Sequence, residues 1–238
     1  TIADIATYPP SGATTAVGLK DAIIQSVRGC QLGTGVTNAC VPRPWLLGDI
    51  FHSNPLVVGE PRSFVPEASY YAFATAHATR DKMIYAGAND GFLHGFLGGT
   101  WDSTPPIGEE PAYDRGTGAE VFGFMPWPAR RNIRNLPKDG GSRDFYYVDG
   151  SPVAADVWIH GSATQTAKAA DGSEWHTVVA GGLRQGGKAY YAIDVTDPSA
   201  AGYPQYLWEF PKEGAAAATT SCVGETWGTA ILTKVKVV

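Results

Sequence analysis

The feature that most constrains this chain is that it says the same thing twice and begins a third time. "DGSPVAADVW" (149–158) follows the pattern of "HSNPLVVG" (52–59), with Ser151-Pro152 standing where Asn54-Pro55 stood. "HTVVAGGLRQGGKAYYAID" (176–194) follows "MIYAGANDGFLHGF" (83–96). In that comparison Ala180-Gly181 matches Ala86-Gly87, Gly187 matches Gly91, and the run Tyr190 to Ile193 matches Leu93 to Phe96. "YLWEFP" (206–211) stands where "EVFGFMP" (120–126) stood, and "ETWGTAILTKVKV" (225–237) opens a third copy. Each copy reads as four short apolar runs separated by Gly, Pro, Asn and Asp, the pattern of strands joined by turns. One such sheet cannot bury both of its faces, so each copy must cover its neighbour. A tandem array of four-stranded sheets is a β-propeller.

The expected fold is therefore all-β, with propeller blades over residues 47–238: a first blade at about 48–126, a second at about 145–211, and the start of a third at 224–238. Two blades and one strand fall short of the four to eight that close a ring. The chain is expected to be a fragment, or to be completed by further chain; it opens "TIADIATYPP", without Met or a charged-then-apolar leader. Residues 1–46 read as a lead-in. Val17, Leu19, Ile23, Ile24 and Val27 fall near helical spacing between Thr15 and Val27, and Gly29 follows as a stop. Cys30 and Cys40 then bracket a Gly/Thr/Asn-rich loop, which predicts a local disulfide and an oxidising compartment. Cys222 is left over.

Composition agrees with short strands: 29 Gly and 17 Pro supply turns, and 7 Trp and 11 Tyr suit pleated surfaces. Trp101, Trp127, Trp158 and Trp208 are expected to pack mostly between blades. A net charge of −5 argues against nucleic acid as a partner, and no apolar run is long enough for a membrane helix.

The chemistry on offer is sparse. Asp90, in Asn89-Asp90-Gly91 between two apolar runs, reads as a turn former, since its counterpart turn "LRQGG" has no Asp. Asp194, Thr196 and Asp197 in "IDVTDPS" are oxygen donors of the kind Ca²⁺ takes, but two carboxylates in one short turn are too few; they and Asp149 read as turn residues. His52, His77, His94, His160 and His176 match no zinc pattern, and His94, standing where Tyr191 stands, reads as packing. There is no GxSxG elbow and no phosphate loop, and Glu109-Glu110 reads as a solvated pair. No catalytic, cofactor or metal residue is assigned. Arg130, Arg131 and Arg134 form the one basic cluster and are the candidates for docking an acidic partner. The loops 97–118 and 160–175 are long enough to present a recognition surface.

In their order along the chain, "GDIFHSNPLVVG", "MIYAGANDGFLHGF", "GAEVFGFMP", "NLPKDGGSRDFYYVDGSPVAADVW", "TVVAGGLRQGGKAYYAIDVTDPS" and "LWEFP" resemble the C-terminal propeller domain of the PilC/PilY proteins of type IV pilus tips. The resemblance implies a modified seven-bladed propeller and a cell-surface or extracellular protein of a Gram-negative bacterium, at the pilus tip or outer membrane. It implies a non-enzymatic role in pilus assembly, extension and adhesion, with pilins or minor pilins and a host or abiotic surface as partners. The family's calcium loop, of the DxDxDNxxTD kind, is not in this sequence, so no cofactor is expected in this chain. An Arg-Gly-Asp motif is also missing; Asp114-Arg115-Gly116 has the wrong order. The alternatives are a quinone-dependent dehydrogenase of the same blade architecture, whose adjacent cysteine pair is lacking, and a carbohydrate-binding propeller.

Overall fold

The computed structural model describes residues 15–31, 40–133, 145–160, 167–216, 219 and 221–233. The elements, in chain order, are α1 (Ala16–Val27), β1 (Leu56–Val58), α2 (Ala68–Ala76), β2 (Lys82–Gly87), β3 (Leu93–Gly99), β4 (Trp101–Asp102), β5 (Ala112–Tyr113), β6 (Glu120–Phe124), α3 (Trp127–Asn132), β7 (Val153–Trp158), β8 (Trp175–Gly182), β9 (Tyr190–Asp194) and β10 (Gln205–Phe210). The repeated segments form two four-stranded antiparallel sheets, ordered β1-β2-β3-β6 and β7-β8-β9-β10. Both are meanders, broken only by the small β4–β5 hairpin inserted before β6. The architecture is that of propeller blades that do not close into a ring.

The pairing corrects one step of the repeat. Val58 lies opposite Met83 and Ala155 opposite Val178, so Tyr85 corresponds to Ala180, and Ala86-Gly87 to Gly181-Gly182. That is one residue later than the sequence comparison places them, because two consecutive glycines hide a slip. A slip of one residue exchanges the faces of a strand. In the observed register Tyr85 points toward the second sheet and Ala180 away from the first. His94 and Tyr191 remain equivalent, opposite Ala86 and Gly181.

The core lies between the sheets. Met83, Tyr85 and Leu93, with the half-buried Leu97, Phe122 and Phe124, meet Val179, Tyr191 and Ile193. Burying each such side chain contributes about 1.5–3 kcal/mol. The far face of the second sheet, Val178, Ala180 and Ala192, is covered by Ala230 and Leu232. The expected third-blade strand is not a strand over its described residues. It touches the second sheet through a bridge between Arg184 and Thr226. A blade's first strand draws its ladder from its own second strand, as β1 does from β2, and 225–233 has none beside it among the described residues. On the far face of the first sheet Ala86 and His94 are buried, while Val57 on β1 and Val121 on β6 are 61% and 46% exposed among the described residues.

Two further elements depart from expectation. Tyr70, Tyr71, Ala72 and Phe73, aromatic sequence with no helix expected of it, lie in α2, where Tyr70 and Phe73 pack on Trp175. Of the four tryptophans expected between blades, Trp127 is buried there, but Trp158 packs half-buried beneath α2, Trp101 meets Tyr113 edge-on, and Trp208 is 45% exposed. In the lead-in, the Thr15 hydroxyl caps α1 by accepting from the Gly18 amide, and Cys30 and Cys40 are joined by a disulfide. Among the described residues no helix is long and apolar enough to cross a membrane.

Candidate functional site

β1 and β7 are edge strands of their sheets, and they run past one another where the sheets meet. A cleft of about 480 Å³ opens along this seam. Residues 56–63 line one side in succession, Ala154–Asp156 and Thr177 the other, with Arg80 and Lys82 between them.

A polar network is buried behind the cleft. The turn that ends α2 carries Arg80 into the seam, where it is only 9% exposed. Its Nε donates to the Gly59 carbonyl at 2.6 Å, and Nη1 donates to Thr177 Oγ1 at 2.8 Å and to the Thr196 carbonyl at 2.9 Å. The Thr177 hydroxyl in turn donates a hydrogen bond to Asp156 Oδ1 at 2.7 Å. Asp156 Oδ2 accepts from the Tyr70 hydroxyl at 2.7 Å and from Ser63 Oγ at 3.0 Å. One carboxylate and one guanidinium thus tie α2 to both sheets. Burial and then the Asp156 hydrogen bond push the Tyr70 phenol up to about 12. Burial holds the Arg80 guanidinium below its ordinary value, and the nearby Asp156 charge offsets part of that.

The residues singled out from sequence are placed as follows. Asp90 does sit in the turn, with Gly91 at φ +104°. It is also a buried clasp: Oδ2 accepts from the Gly48 amide at 2.7 Å and Oδ1 from the Phe92 amide at 3.2 Å. His94 is more than packing. Its ring lies between carboxylates, Nε2 at 3.1 Å from Asp90 and Nδ1 at 2.7 Å from Glu120. Burial disfavours its charged form, but those two carboxylates outweigh burial and raise its pKa. The sequence comparison missed this because Tyr191, at the equivalent place, faces the apolar core. Asp149 is buried and holds His52, whose Nδ1 is 2.6 Å away and whose amide donates at 3.3 Å.

Asp194 accepts from the Thr196 amide and hydroxyl and meets His176 Nδ1 at 2.6 Å; burial raises its pKa, and these hydrogen bonds more than reverse that. Asp197 accepts from Ser199. The fold brings Asp194, Thr196, Asp197, His77 and His176 to one cavity of about 200 Å³. No group of three or more His, Cys, Asp or Glu among the described residues is arranged to hold a metal ion. His160 pairs with Glu174, and Glu109 and Glu110 are exposed in their loop. The basic cluster is divided: Arg130 pairs with Glu213 at 3.0 Å, Arg131 lies over the Trp127 ring, and Arg134 is outside the described residues. Part of the loop 160–175 is likewise outside them.

Comparison with known proteins gives one family. Residues 47–220 match the family described as the PilY1 beta-propeller domain. The type IV pilus biogenesis factor PilY1 of Pseudomonas aeruginosa is 36% identical over 173 residues, 69% of this chain and 12% of that protein. A homologue from Xylella fastidiosa is 35% identical over 164 residues, 66% of this chain and 11% of its own length. The crystal structure of the P. aeruginosa PilY1 C-terminal domain is 34% identical, covers 64% of this chain and 24% of that one, and superposes with a TM-score of 0.40. The chain spans about an eighth of the length of the curated relatives it matches.

Proposed function

This chain belongs to the PilY1 β-propeller domain family, and from that membership we propose that it is the propeller segment of a type IV pilus biogenesis factor that supports pilus assembly and extension and adhesion to surfaces. It acts without catalysis and without a cofactor of its own, at the cell surface of a Gram-negative bacterium. Its partners are pilins or minor pilins and a host or abiotic surface. The observation that carries this reading is the match over 174 residues of continuous propeller sequence, together with relatives named for pilus biogenesis. The fold is compatible with a binding role. Its two sheets form a rigid support, and the connections and the seam, not the core, offer polar groups to a partner. Arg130 and Arg131 lie at the last turn of α3 and are exposed; Arg130 is paired with Glu213, so an acidic partner would compete with that pair.

The test is to delete the gene in its own bacterium and count sheared surface pili, with the wild-type gene returned as control. Loss of most surface pili and their recovery on complementation is the expected result. Unchanged pilus number and unchanged attachment to glass and host cells would reject the proposal.

A further inference from the structure

Arg80 has more capacity than the fold uses. Nε and Nη1 are taken by carbonyls and a hydroxyl, while Nη2 meets no acceptor among the described residues. No carboxylate there lies within ion-pair distance of any Arg80 nitrogen. Nη2 is not among the fully enclosed unsatisfied atoms, so it keeps some exposure, and Arg80 lines the seam cleft. A guanidinium removed from water without a paired anion is costly, and a site that keeps one is a site for an anion.

The cleft supports that reading beyond the one residue. Its walls carry three cations, Arg62, Arg80 and Lys82, against two carboxylates, Glu60 and Asp156. Both carboxylates are engaged. Glu60 is held by Arg62, and Asp156 accepts from the three hydroxyls of Tyr70, Ser63 and Thr177. Lys82 has no carboxylate at ion-pair distance among the described residues; its ammonium rests 3.8 Å from the centre of the Tyr113 ring. Shape decides what carries the anion. The cleft lies along two edge strands, whose outer backbone groups are unpaired in the sheets. Leu56, Val58, Ala154 and Ala155 supply apolar wall beside them. A free anion would leave those edges unused. An extended chain pairs with such an edge and sets alternate side chains into the wall. The volume suits a ligand of a few residues.

We propose that the seam cleft binds an extended acidic peptide segment along β1 and β7, its carboxylate held by Arg80 Nη2 and Lys82. The site stands on the geometry of the seam and does not depend on the pilus reading.

The test uses the 238-residue chain with three probes followed by calorimetry and amide chemical shifts. The probes are a blocked hexapeptide of alternating valine and threonine with one central glutamate, the same peptide with glutamine, and free glutarate. The glutamate peptide is expected to bind, with shifts at 56–63 and 154–156 and weaker binding in higher salt. The glutamine peptide and glutarate are each expected to bind at least about tenfold more weakly. Arg80→Gln removes the central donor but also three structural hydrogen bonds, so Lys82→Gln is the second variant; it should weaken the glutamate peptide about three- to tenfold while shifting the unfolding midpoint far less than Arg80→Gln does. Equal affinity for the two peptides, insensitivity to Lys82→Gln, or no binding of the glutamate peptide up to about 1 mM would overturn the proposal. Glutarate binding as tightly as the peptide would overturn the extended occupant in favour of a small anion.

Discussion

Tyr191 lies on β9, wholly buried between the sheets with the Phe124 ring 5.4 Å away, and its hydroxyl meets no hydrogen-bond partner among the described residues. Burial alone raises its pKa. A buried hydroxyl left unpaired costs about 1–3 kcal/mol. Tyr191→Phe removes that cost and leaves a hole the size of one oxygen atom. At ~24 cal/mol per Å³, a hole of ~20 Å³ costs ~0.5 kcal/mol. The variant should therefore be more stable by about 0.5–2.5 kcal/mol, or about 1–10 °C in Tm at this chain length. The hydroxyl lies over Gly181, where any side chain would collide with it: a Cβ at that position would come within 2.4 Å. Urea unfolding followed by tryptophan fluorescence measures the change. Tyr203→Phe is the control of opposite sign: the Tyr203 hydroxyl pairs with that of Tyr85, and its removal strands a fully buried group at a cost of about 1–3 kcal/mol. If Tyr191→Phe proved destabilising, or if both variants moved the midpoint the same way, the account of the core as dry around Tyr191 would be refuted.

Three more outcomes are expected. The raised pKa of His94 means that its imidazolium contributes stability in full below about pH 6.5, the unfolded value, and loses it as pH rises through the folded value. His94→Gln should thus cost about 1.5 kcal/mol at acid pH and less at alkaline pH, and urea midpoints across that range would show the difference shrink as pH rises. Asp90→Asn keeps the turn but weakens the hydrogen bonds to Gly48 and His94; a loss of about 1.5–3 kcal/mol is expected in chemical denaturation, where a pure turn residue would cost little. Trp175→Ala should cost about 3–5 kcal/mol by the same measurement and Trp158→Ala clearly less, because the first ring is buried against Tyr70 and Phe73 while the second lies at the margin of that cluster.

The strands were legible because their signals are local. Glu120–Phe124 and the Asn89-Asp90-Gly91 turn announce themselves within a few residues, and Thr15 and Gly29 mark the ends of α1 in the same way. α2 gave no such signal. Its sequence ASYYAFATA has apolar residues all round and no stripe, so its buried face was chosen by Trp175, about a hundred positions away. The register slip at Gly181-Gly182 has the same origin, since glycines carry no side chain to declare a face.

The seam cleft marks the boundary between the two kinds of information. Arg80, read as one charge in "TRDK", resembles any surface residue. Only when β1 meets β7 is it enclosed with its partners Thr177 and Thr196, and with Asp156 behind Thr177. Alternation and turn chemistry act over a few residues, so the sequence by itself determined that this chain makes four-stranded sheets that need neighbours. Which charges are buried, and which are left one acceptor short, depends on how two sheets lie against each other, and that was settled by the tertiary structure alone.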